Sequence, residues 1–181
     1  MDIRHRFPQE DTAHEFDVRD LVNAAIEAAA PRARAKQLKL NRTVEPGIPS
    51  RLHGDVEALR KVLTELVANA VHFTERGEVC LCAELEHENA AEVTIRFMVR
   101  DTSAGITAQT LCEFFERFSV PGEAPVAPDV PMGLARCKHL VDSMGAAISV
   151  DTGGGEGSSF HFVVSLPRNG AGCPTGSHTL H

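Results

Sequence analysis

Residues 55–74 read DVEALRKVLTELVANAVHFT. The apolar side chains Val56, Leu59, Val62, Leu63, Leu66, Val67 and Ala70 recur every three or four positions. That spacing predicts a helix that buries one stripe. Beside the stripe, Glu65, Asn69 and His72 fall at i, i+4 and i+7, in one line along the same helix. Many such lines are simply a solvated face. This one also sets a carboxylate, an amide oxygen and a ring nitrogen in a row, the ligand types that Mg²⁺ and phosphate groups accept. Gly77 follows Arg76 as the predicted stop of the helix.

Working outward, residues 79–85 and 93–99 are predicted strands; in the second, Val93, Ile95, Phe97 and Val99 alternate with Thr94, Arg96, Met98 and Arg100. Asp101 stands where that strand ends, followed by Thr102, Ser103, Ala104, Gly105 and Ile106. A carboxylate there either caps the turn or accepts a hydrogen bond from an amino group on a flat ring, which small residues let approach closely. Farther on come a predicted helix at 108–118, a loop holding Pro121, Pro125, Pro128 and Pro131, and a helix at 133–144. Strands at 147–150 and 160–166 follow, joined by a glycine-rich turn. Upstream, Val18, Leu21, Val22, Ala25, Ile26 and Ala29 have helical spacing, and Pro31 is expected to end or kink that helix. Residues 38–44 alternate as a strand ended by Pro46 and Gly47. The chain reads as α+β, layered, with a mostly antiparallel sheet packed on helices.

Composition narrows the function. With 181 residues, 43% of them apolar, one domain can bury a real core. No stretch approaches the roughly 20 apolar residues of a membrane span, so no membrane contact is expected and a cytoplasmic setting is. The formal net charge of -7 disfavours a nucleic-acid surface, which calls for a basic face; a mononucleotide needs only a few local donors and a metal. The cysteines are Cys80, Cys82, Cys112, Cys137 and Cys173. They are odd in number and without a CxxC pair, so neither a disulfide framework nor a zinc site is expected. The glycine run at 153–157 lacks the Lys-Ser/Thr of a P-loop and reads as a turn.

Several segments, in this order, resemble the boxes of sensor histidine kinase catalytic domains. Residues 59–74 resemble the N box, and Asp101 to Ile106 the G1 box. Phe114 to Phe118 is similar to the F box, and Gly133, Leu134 and the residues after them to the end of the G2 box and its helix. Gly157, Ser158, Ser159 and Phe160 resemble the final Gly-Ser/Thr-x-Phe turn, and Phe16-Asp17 the start of such domains. The resemblance covers about residues 16–167. It implies the two-layer α/β sandwich of the GHKL ATPases, binding ATP with Mg²⁺.

By that resemblance Asp101 takes the adenine amino group, supported by Ser158, with Gly105, Ile106 and Phe118 around the nucleotide. Asn69 holds Mg²⁺ and acts in catalysis with Glu65, which completes the metal shell or polarises a water. His72 stands where a Lys or Arg often reaches the phosphates, which makes the charge there dependent on pH. Gly133 and Leu134 open a helix whose N-terminus faces the phosphates. Residues 1–15 are expected to be a leader or the stub of an upstream element, 16–168 the catalytic domain and 169–181 a disordered tail. His14-Glu15 faintly suggests a phospho-acceptor motif but lacks the Arg-x-Pro that should follow, and reads as a linker.

The sequence also departs from the pattern. Ser103 replaces the first G1 glycine, and Asp129 and Pro131 occupy the first two glycine positions of the G2 box. Pro131 has no N–H to donate, and Asp129 brings negative charge toward the phosphates. The leading reading is a kinase domain that phosphorylates a histidine on a separate dimerisation domain and so serves a response regulator. A degenerate docking module with weak nucleotide binding is the second reading, and an anti-sigma-type serine kinase the third.

Overall fold

Asp17 opens the first helix: its carboxylate accepts the Arg19 N–H at 2.9 Å, satisfying one of the donors a helix start leaves unpaired. Asp55 does the same for the helix of the N-box stretch, accepting the Ala58 N–H at 3.0 Å. The computed structural model describes residues 13–102, 132–152 and 157–168. In chain order these form β1 (Ala13–Phe16), α1 (Val18–Ala35), β2 (Lys39–Val44), β3 (Leu52–Asp55), α2 (Val56–Phe73), β4 (Glu78–Glu88), β5 (Glu92–Asp101), α3 (Met132–Ser143), β6 (Ile148–Thr152) and β7 (Ser158–Pro167).

The sheet order is β2-β4-β5-β7-β6. β2 runs parallel to β4 and every other pairing is antiparallel, so the chain is α+β with a mixed sheet. β1 and β3 form a separate antiparallel pair. Along β4, β5 and β7 the odd-even alternation separates two faces. Val79, Leu81, Ala83, Ile95, Phe97, Val99, Phe160, Phe162 and Val164 are buried against the helices, and their neighbours face the other way. Phe97 and Phe162 stack at 5.4 Å between centroids in the middle of this layer. On the helix side, α2 lies between α1 and α3. Its Leu59, Val62, Leu63 and Val67 are fully buried, as the spacing requires. Removing one such side chain, as in Leu63→Ala, costs about 2–5 kcal/mol.

Three local features differ from the sequence reading. α1 continues through Pro31 to Ala35. The carbonyl that Pro31 leaves unbonded lies on an exposed side of the helix while Ala33 stays buried, so packing holds the last turn. β1 takes in His14 and Glu15, which the sequence assigned to a leader. The α2 C-cap is Thr74, whose N–H bonds to the Ala70 carbonyl; Gly77 serves the turn beyond it. The expected helix at 108–118, the proline-rich loop, residues 1–12 and the tail lie outside the described residues.

Candidate functional site

The topology places Asp101 and Ser158 together at one rim of the sandwich. β4 starts five residues after α2 ends, and its Val79 pairs with Asp101, the last residue of β5. Asp101 in turn pairs with Ser158, the first residue of β7, and Ser158 with Thr152, the last of β6. β6 runs toward this rim from Ile148, which lies opposite Phe162 in the middle of the sheet, and Gly133 and Leu134 fall in the first turn of α3. The C-terminal half of α2 reaches the same rim and carries Asn69 and His72, with Glu65 one turn lower.

Asp101 and Ser158 are both buried, at 7% and 5% exposure, and share the helix-side face. The Ser158 N–H donates to Asp101 Oδ1 at 3.4 Å. Gly157, with φ of 103°, passes so close that a Cβ on it would overlap the Asp101 carbonyl oxygen. Next to Asp101, Thr102 locks the strand ends: its Oγ1 accepts the Glu78 N–H at 3.2 Å and donates to the Arg76 carbonyl at 3.3 Å. The same hydroxyl stands where a Cβ on Gly77 would fall. Gly77 has φ of 112°, so no side chain is comfortable there on either count.

Two buried polar atoms on this part of α2 and its C-cap find no partner among the described residues: Asn69 Nδ2 and Thr74 Oγ1. An orphaned amide costs free energy unless something completes it. The amide is half-buried, presents an oxygen and a nitrogen, and suits a ligand that brings oxygens and a cation. Glu65 is near enough to the α3 thiol of Cys137 for its charge to act on it. Burial first, and then that carboxylate, push Cys137 from its ordinary 9.0 up to about 12. Glu65 is thus placed between α2 and α3. His72 is exposed, its ring edge-on to Phe73 at 5.1 Å.

Lys36 carries no sequence signal of its own, yet it caps α2. Its Nζ donates to the carbonyls of Val71 at 2.9 Å, His72 at 2.6 Å and Thr74 at 3.3 Å. A cation here meets the negative end of the helix dipole and fixes the rim to α1. Nothing in a lone lysine after a helix would have revealed this. Gly105, Ile106, Phe118, Ser103, Asp129 and Pro131 lie outside the described residues. A cleft of about 470 Å³ also borders Asp101 and Ser158, but its walls are Asn41, Cys80, Cys82 and Arg100. Those residues belong to the opposite sheet face, so the cleft is not the pocket in front of α2.

Comparison with known proteins gives this geometry its relatives. The family model for "Histidine kinase-, DNA gyrase B-, and HSP90-like ATPase" matches residues 54–168. Sensor protein GacS of Pseudomonas syringae pv. syringae is 37% identical over 155 residues, covering 84% of this chain and 17% of GacS. Sensor histidine kinase RcsC of Escherichia coli K12 is 34% identical, covering 88% of the chain and 16% of RcsC. This chain thus spans about a sixth of the length of those relatives. Among solved structures, full-length ShkA in complex with AMPPNP matches with a TM-score of 0.72 and 29% identity, over 87% of this chain and 32% of that one. The nucleotide-free catalytic domain of histidine kinase ThkA matches with a TM-score of 0.62 at 19% identity, over 86% and 95%, a likeness of fold. The matched span, the relatives and the fold agree: the chain belongs to the family of histidine kinase-, DNA gyrase B- and HSP90-like ATPases, as the ATP-binding catalytic domain of a sensor histidine kinase.

Proposed function

We propose that this domain binds Mg-ATP at the Asp101 rim and presents the γ-phosphoryl group to a histidine on a separate dimerisation domain, feeding a response regulator. The observation that carries the reading is the buried Asp101 carboxylate, oriented by the Ser158 N–H at the strand end where the resemblance puts the adenine contact. In this reading Asp101 accepts the adenine amino hydrogen, and Gly157, without a side chain, leaves room for the Asp101 main-chain carbonyl. Asn69 would hold Mg²⁺, with Glu65 beside it; the ion would neutralise phosphate charge. Asn69 and Thr74, both with polar atoms unmatched among the described residues, would be completed by phosphate oxygens or ordered water. The N-terminus of α3 adds N–H groups of favourable polarity. Phosphoryl transfer asks the protein mainly for position and charge neutralisation, and this residue set supplies both.

The test is calorimetric titration of ADP and ATP, with and without Mg²⁺, into the parent and Asp101→Asn. The variant turns a donor toward the ring amine and should lose about 1–3 kcal/mol, roughly 5- to 150-fold in affinity. Equal binding by both proteins would put the nucleotide elsewhere. Transfer is then read by mixing the domain with labelled ATP and a separate histidine-bearing helical hairpin. The second reading, a docking module with little turnover, is favoured by Asp129 and Pro131, which replace flexible glycines. Nucleotide binding without label on the hairpin would select it.

A further inference from the structure

On the sheet face turned away from the helices, Cys80 and Cys82 lie two residues apart on β4 and so point the same way. Their Sγ atoms are 3.4 Å apart, both thiols are free, and both residues are half-buried. The ladder adds to the pair. Met98 of β5 is the register partner of Cys82, and Arg100 that of Cys80, which sets Cβ atoms about 4.5–5.5 Å apart. The next rung holds His161 opposite Met98, with its Nδ1 already 3.5 Å from Asp151 Oδ2. The cleft of about 470 Å³ gives access to Cys80, Cys82 and Arg100.

We propose that Cys80 and Cys82, with the Met98 thioether beside them, form a binding site for a soft monovalent cation of the Cu(I) class. Thiolate and thioether sulfurs are the ligands that select Cu(I) over harder ions. Among the described residues no group of three or more His, Cys, Asp or Glu side chains is placed to hold a metal ion. A tetrahedral zinc site therefore lacks its ligands here, whereas a cation content with two thiolates and a thioether does not. Two metal–sulfur bonds of about 2.3 Å each can span sulfurs up to about 4.6 Å apart, so the observed 3.4 Å separation needs no backbone movement.

The competing fate, a disulfide, is harder to reach. An extended strand separates residues i and i+2 by about 6.6 Å at Cα, the far edge of the range a disulfide spans. β4 cannot shorten freely, because it is hydrogen-bonded to β2 on one side and β5 on the other. Binding proceeds with simple balance: each thiol releases one proton to solvent, the cation keeps its oxidation state, and the bis-thiolate complex carries one net negative charge. Arg100, across from Cys80, offsets that charge. The site is on the face opposite the proposed nucleotide pocket, so it stands or falls separately from it.

The experiment is an anaerobic titration of the reduced chain with Cu(I), delivered from a competing bidentate chelator. The parent should take one equivalent. Cys80→Ser and Cys82→Ser should each weaken binding by more than about tenfold, the loss that even an outer-shell change brings, and Met98→Leu by less. The Cys112→Ser/Cys173→Ser double variant should bind like the parent. A readout that needs no variant is alkylation: one equivalent of Cu(I) should shield Cys80 and Cys82 together from iodoacetamide, scored by peptide mass. Failure of the parent to draw Cu(I) from the chelator, unchanged binding in the Cys80 and Cys82 variants, or binding that follows Cys112 and Cys173 overturns the proposal.

Discussion

Gly157 and the Asp101 carbonyl oxygen are so close that no side-chain carbon fits between them. The contact joins the end of β5 to the start of β7, and the Asp101 carboxylate depends on that joint. Gly157→Ala has two costs, a positive φ that L-residues avoid and an overlap with rigid backbone. The expected result is a loss of at least about 1–3 kcal/mol in urea unfolding, with weakened ADP binding. A variant that keeps both parent stability and parent affinity would show that the joint yields easily.

Lys36 is the cation at the C-terminal end of α2, bonded to three carbonyls. Lys36→Met keeps the length and removes the charge. Partial exposure tempers the effect, so the expected destabilisation is about 1–2 kcal/mol, with Lys36→Arg closer to the parent. Thermal melts of the three proteins at low and high salt measure it; the gap should narrow with salt.

Asn69→Ala separates metal from base. It removes an amide whose Nδ2 has no partner among the described residues and leaves Asp101 and Ser158 in place. Mg-ATP should weaken far more than metal-free ADP. Equal losses for the two would make Asn69 a structural residue of α2.

Cys137 makes stability depend on alkaline pH. Its thiol holds its proton up to about 12, chiefly because it is buried, while an ordinary thiol ionises near 9.0. Between those values the unfolded chain has lost the proton and the folded chain has not. Stability is therefore unaffected below about 9 and falls as pH rises through that window. Cys137→Ala should flatten the fall, whatever its cost at neutral pH. Cys82, raised to about 12 by burial and by its contact with Cys80, accounts for slope that remains. Denaturation midpoints from pH 7 to 11 decide it; identical slopes in parent and variant would exclude Cys137 as the source.

The G2 positions supply a last comparison. Restoring Asp129 and Pro131 together to glycine should tighten ATP selectively, by up to about 1–3 kcal/mol, and leave ADP nearly unchanged. A parent that already prefers ATP strongly over ADP would contradict this.

The sequence made the main elements legible because their signals are local. The stripe from Val56 to Ala70 is α2, and the alternation from Val93 to Val99 is the heart of β5. Asp101 was readable as a strand-end carboxylate for the same reason. β1 and β3 were not readable. Each has four residues, too few for a period to show, and β3 contains His53 and Gly54, which argue against a strand until its partner is known. The polar rim was half legible: Asn69 and Ser158 belong to recognisable strings, whereas Lys36 and Thr102 act through the backbone carbonyls and N–H groups of distant segments. Such contacts follow from the fold and leave no mark on a single sequence.

The pairing of Asp101 with Ser158 and of Arg100 with Ser159 amounts to a reading frame of two. Loss of one codon early in β5 would slide the rest of the strand back by one place, bring the Arg100 guanidinium to the buried place of Val99, put Thr102 where the buried carboxylate stands and turn Ile95, Phe97 and Val99 to the opposite face. Single-codon deletions in β5 or β7 are thus the genetic lesions this domain should tolerate least. They hardly alter its composition and spare every named motif residue outside the strand, yet they exchange the two faces of that strand beyond the lesion.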